Sequence, residues 1–334
     1  MREFFQRANS FIEKKMMIIM PVCVVVGFLL GDRISFMHGL NSWLFAFACF
    51  AGSLTLPVSE FRRALNLKSV LALIVLGHVV LPLVASLLFR LAVDPSSDYF
   101  IGLMLIFAGP CATTSCIWSG IFGGNKGLSV LFVVIDTVLC MVLTPFIIQV
   151  TCSTAVDMNM TALIISMIKM VLIPSILGVA VSSLVKKEKI SSVSPYIRFV
   201  TKISLLVIIT VSISGSQTAI KAGFSFGFIW SFLLIAVLVV AGYAIGFLAN
   251  RYILRSELAD GISLAFGLGC RNLGLSIILA NTYFPPIAAV APVVALFYHD
   301  IITAGAGRFF LKLSEKNKME KEADNAASCD SKVQ

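Results

Sequence analysis

Charge is scarce in this chain. Asp, Glu, Lys and Arg make up 13% of its 334 residues, where a soluble domain carries about a quarter. An ordinary water-soluble globule is therefore excluded. Acidic residues are fewer still, 17 against 26 basic ones. The basic surplus sits on no folded surface domain, so a nucleic-acid partner has no support. Catalytic patterns are missing too: no Ser-His-Asp order, H-E-x-x-H helix or phosphate loop occurs where it could act, and an enzyme is not expected. No cofactor is expected either. The cysteines form no disulfide framework or zinc motif. Cys23, Cys49, Cys111, Cys116, Cys140 and Cys270 lie within apolar runs, Cys152 at the rim of one and Cys329 near the end of the chain. The first apolar run has no small-residue cleavage site and reads as a span, not a signal peptide. The ring of identical polar groups that a channel would need is also wanting.

What is present is apolar. Hydrophobic residues are 58% of the chain, and the mean hydropathy is +0.97. Runs of roughly 20 apolar residues, enough to cross a bilayer, recur throughout. Ten spans are predicted at 16–30, 40–58, 70–91, 99–122, 128–150, 160–184, 200–219, 226–249, 259–284 and 286–310. Lysine and arginine fix their orientation. Arg2, Arg7, Lys14 and Lys15 precede the first span, and Arg62, Arg63, Lys68, Lys126, Lys186, Lys187, Lys189, Arg251 and Arg255 fill every second connection. The alternate connections hold little beyond Arg33, Arg90 and Lys221. The positive-inside rule then places both termini in the cytoplasm of a multi-pass plasma (inner) membrane protein. Residues 1–15 read as a cytoplasmic arm and 16–310 as the membrane body. Residues 311–334, rich in Lys, Glu, Asp, Asn and Ser, read as a disordered cytoplasmic tail.

Two of the spans are interrupted. One break reads Gly109-Pro110-Cys111-Ala112-Thr113-Thr114-Ser115-Cys116, the other Gly267-Leu268-Gly269-Cys270-Arg271-Asn272-Leu273-Gly274. Unwound backbone at membrane depth survives only where protein or a watery cavity satisfies it. A matched pair of such breaks marks the midplane site of a secondary transporter. The polar connection 151–159 divides the spans five and five, so a tandem repeat (16–158 and 159–310) must insert inverted. The predicted fold is all-α, ten transmembrane helices in two inverted five-helix repeats, with the two broken helices crossing.

Ionisable groups at this depth are costly and functional by default. Arg271 lies in the second break, where half-helix N-termini already favour anions. It either draws in a carboxylate or phosphate, or pairs with Asp136 or Asp300 to hold the broken helices together. Asp136 is a candidate proton carrier or a structural ion-pair partner. His299-Asp300 interrupts the last span and is expected to contact substrate. Lys169 is expected to snorkel, and His78, alone among apolar neighbours, to be a hydrogen-bonded packing residue. Thr113, Thr114, Ser115 and Ser119, following Pro110, point to a lined cavity more than to hydroxyls bonding their own backbone.

At these residues the chain resembles the bile acid:sodium symporter superfamily. Gly109-Pro110, Ser115, Gly124-Asn125, Leu128-Ser129 and Thr144-Pro145 are similar to its fourth and fifth helices. Gly269, Arg271-Asn272, Gly274, Ala295-Leu296-Phe297 and His299-Asp300 are similar to its ninth and tenth. The resemblance implies a core of spans three to five and eight to ten, a panel of spans one, two, six and seven, and a small organic anion bound between them. By similarity Thr113, Asn272, His299 and Asp300 contact that substrate. Sodium-coupled members carry Ser-Asn in the fourth helix and Glu-x-x-x-Gln-Asn in the ninth. Here the asparagine is Cys116, the glutamate Gly267 and the glutamine Arg271, while a fifth-helix threonine aligns with Val133. Ser115 and Ser129 alone remain of the sodium positions, too few oxygens for a cation. Arg271 is therefore expected to replace the sodium charge in a sodium-independent carrier, with proton coupling through Asp136.

Two other readings remain. Cys111, Trp118 and Asp136 resemble residues of the arsenite efflux permeases, although the Asn-Asn-Phe-Glu run of that family is absent. A non-transporting membrane sensor fits the lost sodium positions but not the retained polar breaks.

Overall fold

The computed structural model describes residues 2–54, 66–152, 159–214 and 226–330. Every named element among them is helical. We number them α1 (Arg2–Leu30), α2 (His38–Ser53), α3 (Leu67–Phe89), α4 (Asp98–Ala108), α5 (Thr114–Ile121), α6 (Lys126–Cys152), α7 (Met160–Leu184), α8 (Lys187–Ser214), α9 (Phe226–Ala249), α10 (Leu258–Gly269), α11 (Leu273–Tyr283) and α12 (Val290–Asp330). Single π turns interrupt α3 at Leu76–Val80 and α7 at Ile168–Leu172, and another prolongs α9 at Asn250–Leu254. The calls on Arg62, Arg63, Lys221 and the ends of the second and seventh spans lie outside the described residues.

Among the described residues six helical stretches, including Leu67–Phe89, Lys126–Cys152 and Met160–Leu184, are long and apolar enough to cross a membrane. The halves α4, α10 and α11 have 11, 12 and 11 residues. At 1.5 Å per residue each reaches about 17 Å, roughly half a hydrocarbon core. Only a pair laid end to end can cross.

Two groups of helices pack together. In one, α1 lies along α8, and α2 against α7 and α8. In the other, α9 packs on α10 and α12, α6 on α4 and α5, and the halves interlock, α4 with α11 and α5 with α10. Small residues allow close approach, as usual between membrane helices. A Cβ on Gly27 of α1 would meet the Thr210 carbonyl of α8 at 2.2 Å, and one on Gly246 would meet Ala265 of α10 at 2.7 Å. Outward faces are apolar: Ile18, Val22, Val25 and Leu29 of α1, and Ile229, Leu233, Val237 and Val240 of α9, are exposed at helical spacing. In water that would be untenable; against lipid it is required.

Two boundary expectations change. Residues 2–15 are the first turns of α1, packed on α8 through Phe5 with Tyr196 and Phe199 and through Asn9, which donates to the Pro195 carbonyl at 2.7 Å. At the other end α12 runs on to Asp330 where a disordered tail is expected from residue 311. Its Lys, Glu and Ala residues are strong helix formers, and extending an existing helix avoids the cost of nucleation.

Candidate functional site

The first break has a covalent cause. Pro110 has no N–H and forces its predecessor out of the helical region, and Gly109 is extended at φ −69, ψ 167. The second break contains no proline. It spans only Cys270 to Asn272, with Asn272 at φ −83, ψ 79 and its side chain capping α11 by accepting from the Leu275 N–H at 3.1 Å. Gly267 and Gly269, expected within the break, are helical residues of α10, and Gly274 lies in the first turn of α11.

What holds the second break open is the first. The Ala112 N–H donates to the Cys270 carbonyl at 2.8 Å, and the Asn272 N–H to the Pro110 carbonyl at 2.9 Å. Together they form an isolated antiparallel bridge between Cys111 and Arg271. The remaining backbone groups find side chains, as buried peptide groups must. The Cys111 N–H donates to Asp136 Oδ2 at 2.6 Å and the Arg271 N–H to His299 Nε2 at 3.3 Å. The Thr144 hydroxyl donates to the Ala108 carbonyl at 2.7 Å, and the Ser276 hydroxyl to that of Leu105 at 2.8 Å.

The Arg271 side chain closes the arrangement. It is 2% exposed, and its Nη2 donates to the carbonyls of Phe107 at 2.5 Å, Gly109 at 2.6 Å and Gly77 at 3.2 Å. Two of these oxygens belong to the C-terminal end of α4, where unpaired carbonyls and the helix dipole concentrate negative charge. The third is free because of Pro82. Within the π turn the Leu81 N–H reaches back five residues to Leu76; the next such bond, from residue 82 to Gly77, needs an N–H that proline lacks. Neither partner considered for Arg271 in an ion pair is the one found.

Asp136 pairs instead with His78. Its Oδ1 lies 2.5 Å from His78 Nε2, and both side chains are 1% exposed. His78 is hydrogen-bonded, as expected, but its partner was unforeseen: α3 and α6 bring together two groups 58 positions apart, a meeting that no local pattern announces. Cys140 Sγ lies 3.7 Å from His78 Nε2, so histidine, carboxylate and thiol form one buried cluster.

The other expected site residues divide by exposure. Thr114 is exposed and Thr113 and Asn272 are half-buried. Thr113 lies against Gly52 of α2, and Phe45 of α2 covers Gly274, so these residues face the other helix group. The Thr114 hydroxyl is 3.9 Å from Cys270 Sγ. His299 is buried, while the Asp300 side chain is 64% exposed and 3.6 Å from His299 Nδ1. Ser115 and Arg271 are buried at 2% each. Lys169 is exposed on α7.

At the positions aligned with sodium ligands, Ser115 is buried, the Ser129 hydroxyl donates to Ser119 Oγ at 2.8 Å and the Cys116 thiol to the Thr113 carbonyl at 3.0 Å. Gly267 presents no side chain and is packed by Leu73 and Phe132.

Residues 43–223 match the sodium bile acid symporter family. Two relatives are from Bacillus subtilis (strain 168). "Uncharacterized protein YbaS" is 30% identical over 92% of this chain and 100% of its own length. "Uncharacterized sodium-dependent transporter YocS" is 24% identical over 91% of this chain and 93% of its own. A multi-pass membrane transporter, not an enzyme, is what the apolar helices and these relatives describe. The chain belongs to the sodium bile acid symporter family.

Proposed function

We propose that the protein is a secondary carrier of a small organic anion across the plasma membrane, working by alternating access without sodium. The observation that carries this reading is the Arg271 guanidinium on the carbonyls of Gly77, Phe107 and Gly109. A fixed cation there neutralises the negative end of α4. The N-termini of α5 and α11, which start at the same paired breaks, keep their partial positive charge. The sum favours an anion beside Thr113, Thr114 and Asn272. Arg271 then acts as the charge beneath the site, and the exposed Asp300 accepts from hydroxyl or amide donors on the substrate. A proton taken up near Asp136 supplies the driving ion.

The ten-span, inverted-repeat topology with both termini cytoplasmic supports alternating access, the core (α3 to α6 and α9 to α12) rocking on the panel (α1, α2, α7 and α8). An arsenite-type carrier is less well supported, because Cys111 is 1% exposed and offers no thiol to a solute. The test is a thermal-shift screen of purified protein against small organic anions, with and without sodium. A ligand of the folded state raises the melting point, and the expected hit does so equally in either salt. Stabilisation that appears only with sodium would contradict the reading.

A further inference from the structure

We propose that His78 is the proton-binding residue of this carrier, and that Asp136 exchanges partners between His78 and Arg271 as the proton arrives and leaves. This rests on the sodium-free carrier reading above and assigns its coupling site.

The atoms around the ring define where the proton goes. His78 Nε2 is committed to Asp136 Oδ1 at 2.5 Å, so Nδ1 is the free position. Cys140 Sγ lies beside the ring, 3.7 Å from Nε2 and 3.9 Å from Nδ1, in line with neither nitrogen, and 3.9 Å from the Ala108 carbonyl.

Charge decides the rest. Arg271 is permanently positive and Asp136 is its only buried carboxylate neighbour among the described residues, close enough for their charges to interact. Arg271 Nε and Nη1 have no hydrogen-bond partner in spite of their burial, a costly state for donor groups. They are a vacant edge waiting for an acceptor. With Asp136 on His78, Arg271 rests on carbonyls alone, the arrangement seen, and a proton on the ring strengthens that hold. When the proton leaves, the carboxylate is drawn to that free edge. The guanidinium then loosens its hold on α4 and the π turn of α3. Proton occupancy is converted into a change at the crossing of the broken helices.

The groups meeting the ring are Asp136 and Cys140 from α6, with Cys111 and Arg271 from the two breaks just beyond Asp136. The helices α4 and α9 also pack on this turn. Among the described residues neither bonds to the ring: Asp98 starts α4, Tyr243 of α9 is engaged with Thr303 at 2.8 Å, and Arg251 follows the end of α9.

The chain has three histidines, so ring titration is directly observable. In full-length protein labelled on histidine nitrogen, His38→Gln and His299→Gln assign the signals. The Nδ1 and Nε2 shifts of His78 then report whether the ring carries one proton or two, and a ring that gains its second proton on acidification, with signals altered by Asp136→Asn, is the expected result. A His78 ring that holds the same protons wherever the protein stays folded overturns the proposal whatever the protein transports. The second arm uses proteoliposomes with radiolabelled pyruvate and taurocholate. His78→Gln is expected to lose accumulation driven by a pH gradient by about tenfold or more. Wild-type accumulation in His78→Gln overturns the proposal. Should that variant not fold, Asp136→Asn replaces it, with the same loss expected; wild-type accumulation there overturns the proposal. Wild-type protein that exchanges neither probe counts against the carrier reading, and the ring titration then decides the proton site alone.

Discussion

Arg271 reaches from one broken helix to the other, its Nη2 2.6 Å from the carbonyl oxygen of Gly109, the residue before Pro110. A side chain from one break thus caps the helix end exposed by the other. Losing it leaves the carbonyls of Phe107 and Gly109 facing each other without a donor, a penalty of about 1–3 kcal/mol for each buried group.

Arg271→Gln is therefore expected to lower the melting temperature by several degrees. The wild type is expected to show the same melting curve in sodium and potassium. A thermal-shift series in the two salts checks both statements. Arg271→Lys keeps the charge but lacks the planar fork and is expected to fall between them.

Gly77 supplies the third carbonyl, and its Cα faces the guanidinium. A Cβ there would lie 3.0 Å from Leu268 Cδ2 and 3.5 Å from Arg271 Nη1. Leu268 can give by a few tenths of an ångström, so Gly77→Ala is expected to fold and transport. Gly77→Val pushes a methyl into the fork, and overpacking of that kind costs about 1–3 kcal/mol. Melting temperatures of the two variants separate these outcomes.

Asn272 has two duties that substitution can divide. Its side chain caps α11, and removing a cap costs about 1 kcal/mol; its other surface faces the crevice. Asn272→Ala is expected to lose both stability and affinity for the anion. Asn272→Ser keeps the cap, so it is expected to retain the melting temperature while affinity falls.

Asp300 is the converse. With a side chain 64% exposed, Asp300→Asn is expected to change stability by no more than about 0.5 kcal/mol. Its effect should appear in which anions bind, read as a changed ranking in a competition assay.

The elements were legible wherever the physics is local. Each of the ten apolar runs overlaps a helix, and Gly109-Pro110 places the first break because proline breaks helices in any context. The second break was legible only in outline. Gly267 and Gly269 suggest unwinding, yet both are helical: the first is small because Leu73 and Phe132 press on it, the second because the Tyr243 ring lies where its Cβ would be. That His78 is hydrogen-bonded was legible; its partner was not. It depends on α3 lying beside α6, and on Pro82 freeing a carbonyl five residues back, which means nothing until Arg271 is seen to use it. The one available clue was a glycine and a histidine just before a proline in mid-span. The helical ends of the chain have no signature in hydropathy: apolar content says whether a segment is buried, not whether it is helical.

The central claim is that the guanidinium of Arg271 does the work of a bound sodium ion. The most direct measurement is initial uptake of an anion identified by the thermal-shift screen, in proteoliposomes with sodium replaced by potassium on both sides and a fixed pH gradient. The account predicts equal rates in the two salts. A strict requirement for sodium would contradict it.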